Sequence, residues 1–428
     1  MKNKDIDSLF EFIDASPTPY HAVENICKSL KEKGAIELHE DGDWKCQPGK
    51  LHYVVRHDSS VIAFEIPAKA KLQNMSFNMV AAHTDSPCLK LKPMSKENVA
   101  NYIQWGVEVY GGALLNSWLD RDLHLAGRVS YVDNGELNHQ LISLTDHQFR
   151  VPQLAIHLDR EVNKALALNP ETHLVPVLGL DTSNGSLEKL ILKQLAVKDL
   201  KFEDVTAFDL VFFEANSSAY GGLENEFIYA PRLDNLAMTH AALSALEEGV
   251  SKEKVSLVAL FDHEEVGSQS ANGACSNFLQ STLERLVFSL GGDRQDFMKM
   301  MPSSYLVSAD MAHALHPNYQ DRHDSVHRPL INEGPVIKTN AKMRYATDSK
   351  SFSKFALLCK KAEVEYQVFS GRNDIPCGST VGPLLSTRLG VPAIDVGNPQ
   401  LSMHSAREMA GSEDHGMMIK VLKELFSE

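Results

Sequence analysis

Four short apolar runs, at residues 77–82, 255–261, 305–309 and 391–396, most constrain what this chain can become. Each is too short for a buried helix and gives way at once to polar or turn-forming residues, so each reads as a strand buried on both faces. Pro87 and Pro93 forbid a helix after the first. Between the runs lie segments of helical spacing: 234–249, whose apolar stripe ends at Gly249, then 348–364 and 412–428, with a further helix after Pro19 near the start. Strands alternating with helices predict an α/β domain around a central, mostly parallel or mixed sheet flanked by helices. Residues 95–230 follow another rhythm. "WGVEVYGG", "LAGRVSYVDNGELNHQLISL" with its Asn134-Gly135 hairpin signal, and "PQLAIHL" all read as β. The expected organisation is therefore a discontinuous α/β domain, residues 1–94 and 231–428, interrupted by a β-rich domain at 95–230. A chain of 428 residues with 43% hydrophobic content supports cores of that size.

Several function classes fall away on charge and chemistry. A formal charge of −14 without a basic patch repels nucleic acid and anionic membranes. Six scattered cysteines, Cys27, Cys46, Cys88, Cys275, Cys359 and Cys377, form neither a CxxC pair nor a dense disulfide framework and read as reduced thiols. The first residues carry charges throughout, unlike a signal peptide, and no stretch is long and apolar enough to span a bilayer. The expectation is a cytoplasmic protein.

Ligands of open α/β sheets bind beyond the carboxyl ends of the strands, and this sequence loads those ends. His83 and Asp85 follow the first run, Asp262, His263, Glu264 and Glu265 the second, Asp310 the third, and His404 lies in the loop after the fourth; Asp234 opens a helix. Taken singly each has a plain reading: Asp234 as an acid favouring a helix N-terminus, His83 as a satisfied histidine, the glutamates as a solvated pair. Taken together they form a set of metal donors. Two metals need one bridging carboxylate, here Asp234, with one histidine and one further carboxylate each (His83 with Asp310, His404 with Glu265), and nothing in that set is missing. Asp85 is placed to orient a ligand from behind. Glu264 is left over, and an acid beside the metals is what metal-assisted hydrolysis needs to move the proton of the attacking water. Zinc suits these donors, with manganese or cobalt as substitutes.

Rival motifs fail on single residues. In "HEEVG" the position of the second histidine of a helical HExxH site holds Gly267, and no GxSxG elbow, Walker A loop or GxGxxG fingerprint occurs. The chemistry leaves open a carboxypeptidase or amidohydrolase built on the same paired metals. A non-catalytic, metal-stabilised scaffold also stands as an alternative, but a closed structural site has no use for an extra glutamate.

The motifs "AAHTDSPCLKLKP", "RLDNLAM", "FDHEEVGS", "SADMAHALHPNY", "VIKTNAKMRYATDS", "DIPCGSTVGP" and "DVGNPQLSMHSAREM" closely resemble those of the M18 metallopeptidases, the aspartyl aminopeptidase family, in its bacterial branch. The resemblance extends over nearly the whole chain. It implies a two-zinc aminopeptidase that removes one N-terminal residue, with preference for Asp or Glu, by metal-activated hydroxide attack. It implies metal ligands at His83, Asp234, Glu265, Asp310 and His404, Glu264 as general base, and Asp85 behind His83. It further implies Lys338 as partner of an acidic substrate side chain, Tyr345 as a substrate contact, and backbone groups around Gly378 and Ser379 near substrate. His157, in the interrupting segment, is implied to enter the active site of a neighbouring subunit. That segment is implied to be a dimerisation domain in a tetrahedral dodecamer of identical chains acting on peptides with free N-termini.

Overall fold

The computed structural model describes residues 3–69, 72, 75–181, 186–249 and 253–428. It divides into two compact units, one of Met1–Asp85, Ser218–Met403 and Glu408–Glu428, the other of Ser86–Ser217 and His404–Arg407.

In the first unit, among the described residues, nine strands form one sheet in the spatial order Ile36–Leu38, Leu51–Arg56, Ser60–Glu65, Val255–Phe261, Phe77–His83, Tyr305–Ala309, Ala393–Gly397, Val336–Thr339 and Gln367–Ser370. The central four, which are the four apolar runs, are mutually parallel, and antiparallel neighbours on either side make the sheet mixed. The last of the four begins at Ala393, after Pro392, which has no amide hydrogen to give a neighbour.

Alternate residues of these strands face opposite layers, as the two-residue period of a strand requires. Val80, Ala82, Val258, Leu260 and Val307 join one core with helices Lys4–Ala15, Pro19–Glu32, Leu233–Glu248, Ser349–Lys361 and Asp414–Phe426. Met79, Ala81, Leu257, Ala259 and Leu306 join the other, against helices Phe278–Ser289, Arg294–Met300 and Val381–Leu389. Each large aliphatic side chain buried this way contributes about 1.5–3 kcal/mol, so the strand ends rest on a stiff frame. The helices begin where the sequence provides caps: the Thr18 hydroxyl accepts from His21 N–H ahead of Pro19, and Asp348 accepts from the Lys350 and Ser351 amides. A small five-stranded sheet, Ala219–Gly221, Phe227–Ala230, Glu408–Gly411, Pro399–Leu401 and Ala312–His313, completes this unit.

The second unit is an antiparallel sheet of six described strands in the order Glu136–Phe149, Leu123–Asp133, Val205–Glu214, Cys88–Val99, Tyr102–Tyr110 and Val177–Leu180. Asn134 and Gly135 both take positive φ, +51° and +84°, closing the hairpin between Asp133 and Glu136 as their sequence signals. Trp105, Leu125, Leu144, Leu210 and Phe212 form its core, covered by Leu187, Ile191 and Leu195 of the helix Leu187–Leu195. One β reading is corrected here. Residues 152–158 form an exposed turn instead of a strand, with Leu154, Ile156 and Leu158 at 57%, 43% and 75% exposure. Their apolar alternation mimics a strand, but among the described residues no strand pairs with them.

Among the described residues, no helix is long and apolar enough to cross a membrane.

Candidate metal centre

The parallel register lines up the strand ends that carry the polar residues. Phe261 stands opposite His83, Ser308 opposite Ala81, and Ala309 opposite Val396. The Thr84 amide continues the ladder to Phe261 O at 2.8 Å and the Asp310 amide to Val396 O at 2.9 Å. Gly397 permits the last approach, since a Cβ there would lie 1.8 Å from Asp310 O.

His83, Asp234 and Glu265 converge there, each with one ligand atom within 4.8 Å of the others. His83 is buried, and its Nδ1 donates to the backbone oxygen of Asp85 at 3.0 Å, with Asp85 Oδ1 at 3.3 Å. That fixes the ring hydrogen on Nδ1 and turns Nε2 towards Asp234 Oδ1, 3.5 Å away, and Asp310 Oδ2, 3.9 Å away. The Thr239 hydroxyl donates to His83 O at 2.8 Å and steadies the strand end from the neighbouring helix.

Asp234 is no ordinary helix-start acid. Its backbone is non-helical (φ −83°, ψ 103°), the peptide bond to Asn235 is cis, and its side chain is buried beside His83. Its amide donates to Glu408 Oε2 at 3.1 Å.

Glu264 and Glu265 leave the strand in a tight turn. His263 and Gly267 take positive φ, and Ser268 N–H reaches back to His263 O at 2.7 Å. One carboxylate organises the turn: Asp85 Oδ1 accepts from Glu264 N–H and Oδ2 from Glu265 N–H, both at 3.1 Å. Asp310 divides its oxygens, Oδ1 taking a 3.2 Å hydrogen bond from Lys338 Nζ while Oδ2 faces His83. Lys338 is therefore no surface lysine. It is 3% exposed, donates also to Met311 O at 2.9 Å, and lies 5.3 Å from the centre of the Tyr345 ring.

The electrostatics are those of crowded acids. Burial, reinforced by the charges of Asp310, Asp85 and Asp234 and opposed by His83, pushes the Glu264 carboxyl up to about 8. Burial also raises Asp310, with Lys338 opposing and Asp234 adding. It raises Asp262 to about 6, with the Asp85 charge adding. Burial works against a charged His83, yet hydrogen bonds to Asp234 and Asp85 and the charge of Glu264 hold its pKa well above the usual value. Buried carboxylates set against one imidazole are relieved by a divalent cation, and a histidine nitrogen with carboxylate oxygens is a donor set that zinc accepts.

Tyr345 is buried against Phe369 and lines a cavity of about 410 Å³ together with His313, His316, Cys377 and Gly378. Ser379 is exposed, and its hydroxyl donates to Arg344 O at 3.2 Å. His404 belongs to the second unit, where its Nδ1 lies 3.0 Å from Gly112 O and its own carbonyl accepts from Leu114 N–H at 3.0 Å. Arg407 anchors the same segment through a 2.8 Å ion pair with buried Glu214. His157 stands exposed in the 152–158 turn of that unit.

Sequence reasoning passed over Thr239, Glu408 and Asp395. The last carried a signal, a carboxylate in the middle of an apolar strand.

The family model described as aminopeptidase I zinc metalloprotease (M18) matches residues 12–426. A probable M18 family aminopeptidase 2 of Ectopseudomonas mendocina is 43% identical over 100% of this chain and 99% of its own. Aspartyl aminopeptidase 1 of Schizosaccharomyces pombe is 41% identical, with 98% of this chain and 93% of that protein covered. Among solved structures, an mApe1 dodecamer of S. cerevisiae superposes with a TM-score of 0.84 at 27% identity, covering 98% of this chain and 95% of that one.

Proposed function

The chain belongs to the M18 aminopeptidase I zinc metalloprotease family and is a metallo-aminopeptidase, and from that premise we propose that it removes the N-terminal residue of peptides, Asp or Glu by preference, at a two-zinc centre. The observation that carries this reading is the convergence of His83, Asp234 and Glu265 on one point. Asp310 and His404 would complete the residues that hold the ions. When bound, the ions would polarise the scissile carbonyl and acidify a water molecule.

The remaining work falls to the chain. Glu264 takes the proton of the attacking water and returns it to the leaving amine. Asp85 holds Glu264 and Glu265 in place through their amides. Lys338 offers positive charge to an acidic substrate side chain, with Tyr345 and the backbone at Gly378 and Ser379 forming the wall beside it. The cavity lined by Tyr345 and Gly378 supports the placement of those two residues.

The second unit, close to the 95–230 segment, we assign to dimerisation within a homo-oligomer in the cytoplasm, and by analogy with the yeast dodecamer to a tetrahedral dodecamer. The exposed leucines and isoleucine around His157 support a covering neighbour, which His157 would serve at its oxyanion. His157→Ala should then lower kcat in the assembled enzyme without loss of metal; unchanged kcat removes the assignment.

The test of the whole reading is hydrolysis of aminoacyl-anilides with free and acetylated amines, on metal-stripped protein restored with zinc, manganese or cobalt. Cleavage of free-amine substrates alone, fastest with Asp or Glu and dependent on metal, is expected. Equal cleavage of acetylated substrates refutes the aminopeptidase mechanism.

A further inference from the structure

Asp395 lies in the strand Ala393–Gly397 and is fully buried, where an apolar residue would pack without cost. What an apolar residue could not do is accept hydrogen bonds from two loops at once. The Asp395 carboxylate accepts one from the Thr380 hydroxyl and one, at 2.6 Å, from the Ala346 amide. Its backbone N–H donates to Thr347 Oγ1 at 3.0 Å. Thr380 also caps the helix Val381–Leu389, accepting from Gly382 N–H at 3.3 Å. A Cβ at Gly382 would come within 2.6 Å of both carboxylate oxygens, so glycine is what lets this helix start sit against the acid. The two loops are also laced directly, Arg344 Nε donating to Cys377 O at 3.3 Å and Ser379 Oγ to Arg344 O at 3.2 Å.

Tyr345 adjoins one anchor and Gly378 lies two residues before the other, and both line the 410 Å³ cavity. On the opposite side Asp395 pairs in register with Lys338, whose ammonium faces the Tyr345 ring. Burial raises the Asp395 carboxyl, while the Lys338 charge, the Thr380 hydroxyl and the Ala346 amide favour its ionised form.

We infer that Asp395 is a positioning residue that sets the spacing of the Tyr345 and Gly378 walls of the substrate pocket. The inference rests on the pocket reading given above, but the anchoring can be tested apart from it. Asp395→Asn and Thr380→Val each remove a hydrogen bond from the knot while keeping side-chain size. In the metal-loaded enzyme each should raise KM for aminoacyl-anilides about tenfold, with kcat nearly unchanged and metal content equal to wild type. Thr380→Ser, which keeps the hydroxyl, should restore the wild-type KM. A readout independent of activity is alkylation of Cys377, the cysteine on the cavity wall, followed by mass spectrometry. The rate should rise about tenfold in both variants as the loops part, while the other cysteines keep their rates. Unchanged Cys377 reactivity overturns the inference even if the enzyme is inactive on every anilide; a fall in kcat at constant KM overturns it too. If Asp395→Asn does not fold, Thr380→Val decides alone.

Discussion

Replacing Asp85 by Asn isolates the one carboxylate that organises the candidate centre. Its two oxygens accept from the adjacent amides of Glu264 and Glu265, each at 3.1 Å. An asparagine can satisfy only one of those donors with its oxygen and must turn an NH2 group towards the other. The loss is one charge-assisted hydrogen bond in a buried place, about 1.5–3 kcal/mol, or about one to two decades in an equilibrium constant. The His83 tautomer should survive, because Nδ1 keeps the backbone oxygen of Asp85 at 3.0 Å. The damage therefore falls on the glutamate turn, and through Glu265 on metal retention. Competition against a chelator should show metal affinity about 10–100-fold weaker in Asp85→Asn, with a parallel fall in kcat where Glu264 is misplaced. Asp85→Ala, which frees both amides, should be worse. Wild-type affinity and turnover in Asp85→Asn would refute the claim that this carboxylate orders the turn.

Three further outcomes are expected. Glu264→Gln should retain its metal, measured by elemental analysis, while kcat falls about 10²–10⁴-fold; substantial residual turnover rejects Glu264 as base. Lys338→Met leaves Asp310 buried without its 3.2 Å partner and should cost about 3–5 kcal/mol in urea unfolding, whereas a value near zero would mean that Asp310 does not need the ammonium. Burial pushes Asp414 up to about 7, against hydrogen bonds from the Asn332 and Gly334 amides and with help from the Glu413 and Glu333 charges. Its folded pKa lies above the unfolded value of about 3.9, so the native state binds the extra proton and stability is lost as pH rises through 4 to 7. The linkage is on the order of 4 kcal/mol at most. Urea midpoints at pH 5 and pH 8 should differ less in Asp414→Asn than in wild type; an equal difference assigns the slope to other groups.

The fold was legible where burial alone decides structure. The four apolar runs are strands because, lying between helix layers, both of their faces must be apolar, and that leaves a continuous signature. The Asn134-Gly135 turn was equally plain, since few residue pairs accept positive φ twice in succession. The 152–158 segment misled for the converse reason. Alternation reports two unlike faces, and an exposed turn can carry the same pattern as a half-buried strand.

At the candidate centre the residue types at strand ends were visible, because a carboxylate or imidazole beyond an apolar run is conspicuous. What supports them was not. Glu408 meets Asp234 across 174 positions, and Asp85 meets Glu264 across 179, so no local pattern connects them; register between distant strands creates the pairing. Lys338 shows the limit most clearly. A lone lysine in sequence is most simply a surface residue, and only the antiparallel placement of its strand beside Asp395, together with the strand Tyr305–Ala309 that Asp310 follows, buries it between acids. Residues that do chemistry announce themselves by type, whereas those that aim the chemistry are defined by whom they meet, and that is a property of the sheet.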